Sequence, residues 1–223
     1  MKKLFLILSL AVFLAACEDP AANKPKATTT NSTSNSAVNA PANTTANIPA
    51  TNAPTTGTAL PITPENSKIE FTGSKVTGKH DGGFKQFSGT IDLAGNKPED
   101  SKVSVEIDMN SLFTDAEDLT KHLKTADFFD VEKYPKASFV STKIVPDTAK
   151  GANNYTITGD LEMHGTKKAV TFPATITVND STVEVKSEFS INRKEFQILY
   201  AGKADDLIRD DVVLRLDLKA SRK

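Results

Sequence analysis

The sequence predicts an all-β domain of about eight antiparallel strands, carried behind an export segment and a polar tether. Three observations point there: apolar and polar residues alternate over most of 61–223, turn residues separate the alternating runs, and only one stretch has a definite helical pattern. The chain has 223 residues with 27 Lys+Arg against 28 Asp+Glu and 38% hydrophobic residues. A net charge of −1 offers no basic excess for a phosphate backbone, so nucleic acid is not an expected partner. The single Cys excludes an intramolecular disulfide framework and a cysteine-rich zinc site.

Taken in chain order, residues 1–16 form the export segment. Lys2 and Lys3 precede an apolar run from Leu4 to Phe13, shorter than the roughly 20 residues a spanning helix needs. Leu14-Ala15-Ala16-Cys17 follows and resembles the bacterial lipobox, in which a diacylglyceryl group is joined to the Cys thiol and the chain is cut before it. Cys17 is then a lipid attachment point, since two or three acyl chains together hold a membrane where one binds only marginally. An ordinary signal cut after Ala16 would instead leave Cys17 as a free first residue. The lipobox reading places the protein in the bacterial cell envelope, lipid-anchored and facing the periplasm or the cell surface.

Residues 17–60 are rich in Thr, Asn, Ala, Ser and Pro and almost without large apolar side chains until Ile48. Such a stretch cannot offset its conformational entropy by burial, and a disordered tether with a reach of roughly 35–40 Å is expected.

The domain, 61–223, carries the alternation. Val103, Val105, Ile107 and Met109 interleave with Ser104, Glu106 and Asp108; Tyr155, Ile157, Leu161 and Met163 with Thr156, Thr158, Asp160 and Glu162. The same period recurs in Val170-Phe172-Ala174-Ile176-Val178, in Val183-Val185 toward Phe189-Ile191, and in Val212-Leu214-Leu216-Leu218 against Val213, Arg215, Asp217 and Lys219. These are half-buried strands with one apolar face. Further strands are expected at 67–76, 84–93 and 137–145, with turns at Asp81-Gly82-Gly83, Gly95-Asn96-Lys97-Pro98, Pro146-Asp147, 151–154 and Asn179-Asp180. Thr114-x-x-Glu117 resembles a capping box opening a helix that carries Leu119 and Leu123, and a second short helical turn is expected around 204–208. Periodicity alone allows a barrel or a sandwich, and a filled interior or an open one.

Longer motifs go further. Ser67-Lys68-Ile69-Glu70-Phe71, Lys75-Val76-Thr77-Gly78-x-His80 and Gly83-Phe84-x-x-Phe87-Ser88-Gly89 resemble the opening of the YceI family. So do His122-Leu123-Lys124-x-x-Asp127-Phe128-Phe129-Asp130-Val131-Glu132-Lys133-Tyr134-Pro135, Tyr155-x-Ile157-x-Gly159-Asp160-Leu161-x-Met163-His164-Gly165 and Ile191-x-Arg193-x-x-Phe196. The resemblance implies an eight-stranded antiparallel lipocalin-like barrel whose apolar tunnel holds a polyisoprenoid or similar long-chain lipid. Gly78-Lys79-His80-Asp81-Gly82-Gly83 departs from the usual opening, and a glycine-rich first turn there is expected to widen one barrel mouth.

The inward-facing residues expected to meet the lipid are Val103, Val105, Ile107, Met109, Tyr155, Ile157, Leu161, Met163, Val170, Phe172, Ile176, Val183, Val185, Phe189, Leu214 and Leu216, about half of them in contact and the rest packing the core. Arg193 stands where the family often has an arginine. It is either a partner for a polar head group or, the favoured reading, a charge satisfied within the protein. Phe128, Phe129 and Tyr134 are expected to seal one barrel end.

No catalytic constellation, phosphate-cradling glycine loop or dinucleotide fingerprint is present in the sequence, and no enzyme activity or cofactor is expected. His80, His122 and His164 lack metal-ligand spacing, and Asp205, Asp206, Asp210 and Asp211 lack that of a calcium loop and are expected to be solvated. The expected function is a membrane-anchored lipid-binding protein for storage, transport or sensing; the alternative is an envelope structural or stress-response protein with a filled barrel. The sequence does not decide between a single barrel and a homodimer.

Overall fold

The computed structural model describes residues 19–32 and 57–222. The export segment, Cys17 and the tether stretch 33–56 lie outside the described residues. In chain order the elements are β1 (Thr28–Asn31), β2 (Thr58–Ile62), β3 (Lys68–Lys75), β4 (Gly78–Phe84), β5 (Phe87–Ala94), β6 (Lys97–Asp108), β7 (Leu112–Thr114), α1 (Glu117–Leu123), β8 (Lys136–Pro146), β9 (Asn154–Met163), β10 (Thr166–Val178), β11 (Thr182–Asn192), β12 (Gly202–Lys203), β13 (Asp206–Leu207) and β14 (Asp211–Ser221). All eight expected strands are present.

One antiparallel sheet contains all but the small β12–β13 hairpin, in the order β2-β5-β6-β8-β9-β10-β11-β14-β3-β4-β7. Because β14 inserts between β11 and β3, the last long strand joins the two halves of the chain. The sheet curls into a lipocalin-like half-barrel, and β2 comes round to lie against β14. The Ser67 hydroxyl fastens that side by donating to the Lys219 carbonyl at 3.3 Å and accepting from the Lys219 amide at 2.9 Å.

Tight turns set the register. Gly95 and Asn96 both have positive φ, as a two-residue hairpin between right-twisted strands requires. His164 and Gly165 do the same between β9 and β10. His164 therefore sits in a turn.

Several local expectations are corrected. Asp81-Gly82-Gly83 is not a turn but part of β4, whose Gly82 faces Phe71 across β3; a Cβ at Gly82 would lie 2.5 Å from the Phe71 ring. The glycine makes room for an aromatic, so no glycine-rich turn widens the mouth. Thr114 is not the helix N-cap. That position is Ala116, while the Thr114 hydroxyl accepts from the Ala116 amide at 3.2 Å and pairs with Thr120 Oγ1 at 2.8 Å. Residues 204–208 form no helical turn, since β12 and β13 pair there as a hairpin.

The largest correction concerns the tether. Its first part, Asp19–Ser32, is ordered against the barrel as a strap. β10 pairs with β9 along most of its length but with β11 only from Thr175 to Val178, so the two strands part beyond that point. The strap fills the gap. Thr28–Asn31 pair with Lys168–Thr171 of β10, while the Ser190 amide of β11 donates to the Pro25 carbonyl and the Ala27 amide donates to the Ser190 carbonyl, both at 2.8 Å. Lys24 and Lys26 reach Glu188 and Asp211 at 2.8 Å. A composition rule weighs apolar burial and misses this, because the strap is held by open backbone groups of the wall and by ion pairs. It also explains Val213, expected on the wet face but only 1% exposed: Val213 is the register partner of Ser190, beneath the strap.

Candidate functional site

Inward residues of the curled sheet enclose an apolar cavity of about 380 Å³, within the range of small-molecule sites. Its walls include Val103, Val105 and Ile107 of β6 and the adjoining Met109, Ile157, Leu161 and Met163 of β9, Val170 and Phe172 of β10, Val185 and Phe189 of β11, and Leu214 and Leu216 of β14. Thus the alternation places most of the expected residues on one continuous surface.

Tyr155, Ile176 and Val183 do not line it. They belong to the far end of the barrel, where Ile176 pairs with Val185, Val178 with Val183, and Ala174 with Tyr155. Leu60 and Ile62 of β2 and Ile91 and Leu93 of β5 fill that end. Burial pushes the Tyr155 phenol above its ordinary range. One barrel end is therefore packed solid and the other hollow.

Aromatic rings shape the hollow part. Phe139, Phe172 and Phe189 run in a row, with centroids 5.6 Å and then 4.3 Å apart, the second pair stacked nearly parallel. Gly159 lies between the inward Ile157 and Leu161, and a Cβ there would lie 2.3 Å from the Phe139 ring. The missing side chain is what lets Phe139 cross the wall.

The sequence list omitted Ile69, Phe71, Phe84, Phe139 and Ile191, which also line the cavity. The alternation that found β6 and β9 could have supplied Ile69, Phe71 and Ile191. Phe84 and Phe139 lie in strands whose inward faces the list did not separate. Phe128 and Phe129, expected to seal an end, form part of the cavity wall itself, where Phe128 packs with Leu123 and Ile198. Phe128 meets His122 and Tyr200 at centroid distances of 5.0 Å and 5.1 Å. Tyr134 instead packs edge-on to His164 at 4.8 Å, with its ring over Gly165.

Among the described residues, polar side chains reach the cavity from Lys75, His80 and Arg193, with Ser74 beside them, at the end away from the filled one, which we call the open end. Lys75 is paired with Asp206, which also accepts from Thr77. That lysine holds the Asp206 carboxyl below its usual range. His80 Nδ1 is 2.8 Å from Asp115.

Arg193, 5% exposed, donates to the carbonyls of Ile198 at 2.6 Å, Arg209 at 3.1 Å and Ile208 at 3.4 Å, with Asp210 at 3.5 Å. Burial lowers its guanidinium pKa, and Asp210 opposes that shift. Arg193 thus borders the cavity, but its donors are committed to tying the 198 and 208–209 segments together. Asp210 also meets Lys194 at 3.0 Å, and Asp211 meets Lys26. Asp206, Asp210 and Asp211 of the acidic run are therefore counter-ions and not a solvated face.

His122 bonds Asp127 at 2.9 Å and His164 Nδ1 lies 3.1 Å from the Phe196 carbonyl. Among the described residues no three His, Cys, Asp or Glu side chains gather as a metal site.

Comparison with known proteins agrees with this geometry. A UPF0312 protein of Pseudomonas putida strain GB-1 is 47% identical over 94 residues, 42% of this chain and 47% of the relative. The chain thus spans about half the length of the curated relatives it matches. The crystal structure of Burkholderia cenocepacia BcnA superposes with a TM-score of 0.63 at 26% identity, covering 71% of this chain and 99% of that one. A polyisoprenoid binding domain from Saccharophagus degradans shares the fold, with a TM-score of 0.59 at 17% identity over 75% of this chain and 99% of the other. The YceI-like domain family matches residues 61–220, which is the barrel without the strap and the first residues of β2, and the chain belongs to that family.

Proposed function

We propose that the chain binds a long-chain lipid, of the isoprenoid class, inside its barrel while held to a bacterial envelope membrane through lipidated Cys17. The observation that carries this reading is the hollow half of the barrel, an apolar cavity of about 380 Å³ whose Lys75, His80 and Arg193 neighbours stand at the open end and are already partnered. A tail of about twenty carbons buried at roughly 0.8 kcal/mol per methylene gains on the order of 15 kcal/mol gross, before ordering and association costs. Such binding needs no catalytic group.

The hollow interior also weighs against a filled barrel acting only through its surface. Mass spectrometry of an organic extract of the purified protein tests the reading. A stoichiometric long-chain lipid is expected; a reproducibly empty barrel would refute it. Incorporation of labelled palmitate, abolished in Cys17→Ser, tests the anchor separately.

A further inference from the structure

We propose that the open end of the barrel is a membrane-docking surface, whose apolar rim sits in the bilayer so that lipid passes between membrane and cavity without crossing water. This rests on the lipid-binding and Cys17-anchor readings above.

The first support is the strap. Its first described residue, Asp19, is clamped to Arg209 at 3.3 Å, beside the β12–β13 hairpin at the open end. Cys17 is only two residues earlier, and two residues of fully extended chain reach at most about 7 Å. A lipid on Cys17 would therefore bring this end of the barrel to the headgroups. The stretch 33–56 does not intervene, because it follows the strap in sequence.

The second support is independent of Cys17. Among the described residues four large hydrophobic side chains are exposed: Leu199 at 57%, Val76 at 54%, Leu207 at 49% and Val145 at 39%. Single exposed apolar residues mean little, but Leu199, Val76 and Leu207 share the open end. The Val76 amide donates to the Leu207 carbonyl at 3.1 Å, and Arg193 ties the carbonyl of Ile198, next to Leu199, to those of Ile208 and Arg209.

Their chain neighbours Lys75, Ile198 and Ile208 line the cavity, so the exposed residues stand at the edge of the lipid-sized hollow. Of the acidic side chains at this rim, Asp19, Asp206 and Asp210 each face a cation, from Arg209, Lys75 and Lys194 respectively, and exposed Asp205 at the hairpin tip is left to point to water. Apolar side chains at an interface, next to a covalent lipid, match the two-signal logic of stable peripheral attachment.

The chain contains no Trp, so single substitutions provide position-specific fluorophores. Leu199→Trp, Leu207→Trp and, at the filled end, Val145→Trp are made in the full-length chain, purified in detergent and reconstituted with phosphatidylethanolamine/phosphatidylglycerol vesicles carrying brominated acyl chains. The two rim variants should lose most of their emission to bromine quenching, and Val145→Trp should keep its own. Equal quenching at both ends, or none at the rim, overturns the proposal. Rim emission that is already shielded without vesicles and unchanged by them would indicate a second copy on the rim and likewise overturn it. Rim quenching with no lipid in the organic extract leaves docking standing and removes the cavity-ligand reading. A lipid-loaded protein whose rim is not quenched does the reverse.

Discussion

The two ends of this barrel have the same alternating strands and opposite interiors. At one end Leu60, Ile62, Ile91 and Leu93 of β2 and β5 join Val183 and Ile176 in the buried core, and none of the six lines the cavity. At the other, Ile157, Leu161, Leu214 and Leu216 face a hollow rimmed by paired charges. The contrast teaches that inward direction and interior filling are separate properties. The first comes from strand period; the second depends on which strands close in from the side and where glycines let rings lie across the wall.

Substitutions can break or sharpen that contrast. Ile62→Ala, at a site 1% exposed, should lower unfolding free energy in urea by about 2–5 kcal/mol while leaving the lipid load unchanged. Placing a phenylalanine at each end comes next. Val183→Phe should overpack the filled end by about 1–3 kcal/mol, whereas Val105→Phe should expel lipid from the hollow with a smaller loss, read by mass spectrometry and denaturation together. Equal destabilisation by both would mean that the two ends do not differ.

Arg193→Lys removes the planar fork that binds three carbonyls. A loss of about 1–3 kcal/mol is expected, with faster amide exchange at 198–209 than elsewhere. The smallest effect concerns acid. Hydrogen bonding to Lys75 lowers the folded pKa of Asp206, so its stabilisation is present above the unfolded carboxylate range and lost as pH falls through the lowered value. In Asp206→Asn the melting temperature should therefore fall less steeply between neutral and acid pH.

Much of this contrast was legible in the sequence. Period-two patterns named the strands and most of the cavity wall, because side-chain direction is a local property of an extended chain. The failures have non-local causes. Tyr155, Ile176 and Val183 have the same pattern as true wall residues and are displaced from the cavity only by β2 and β5, strands distant in sequence. Gly82 and Gly83 read as a turn because glycine has two uses, and only the Phe71 ring across the sheet reveals which applies. The ordered strap was invisible because its binding energy resides in the open edges of β10 and β11, not in its own composition.

That strap also orders events in time. Its contacts span long sequence separations: Lys24 to Glu188 is 164 residues, and Lys26 to Asp211 is 185. The residues synthesised first therefore have no binding edge until nearly the last strands exist, and closing so distant a contact early gains nothing against its entropy. The strap is the final piece of the wall to be set, so Cys17 would be free for modification while the barrel is still unfinished.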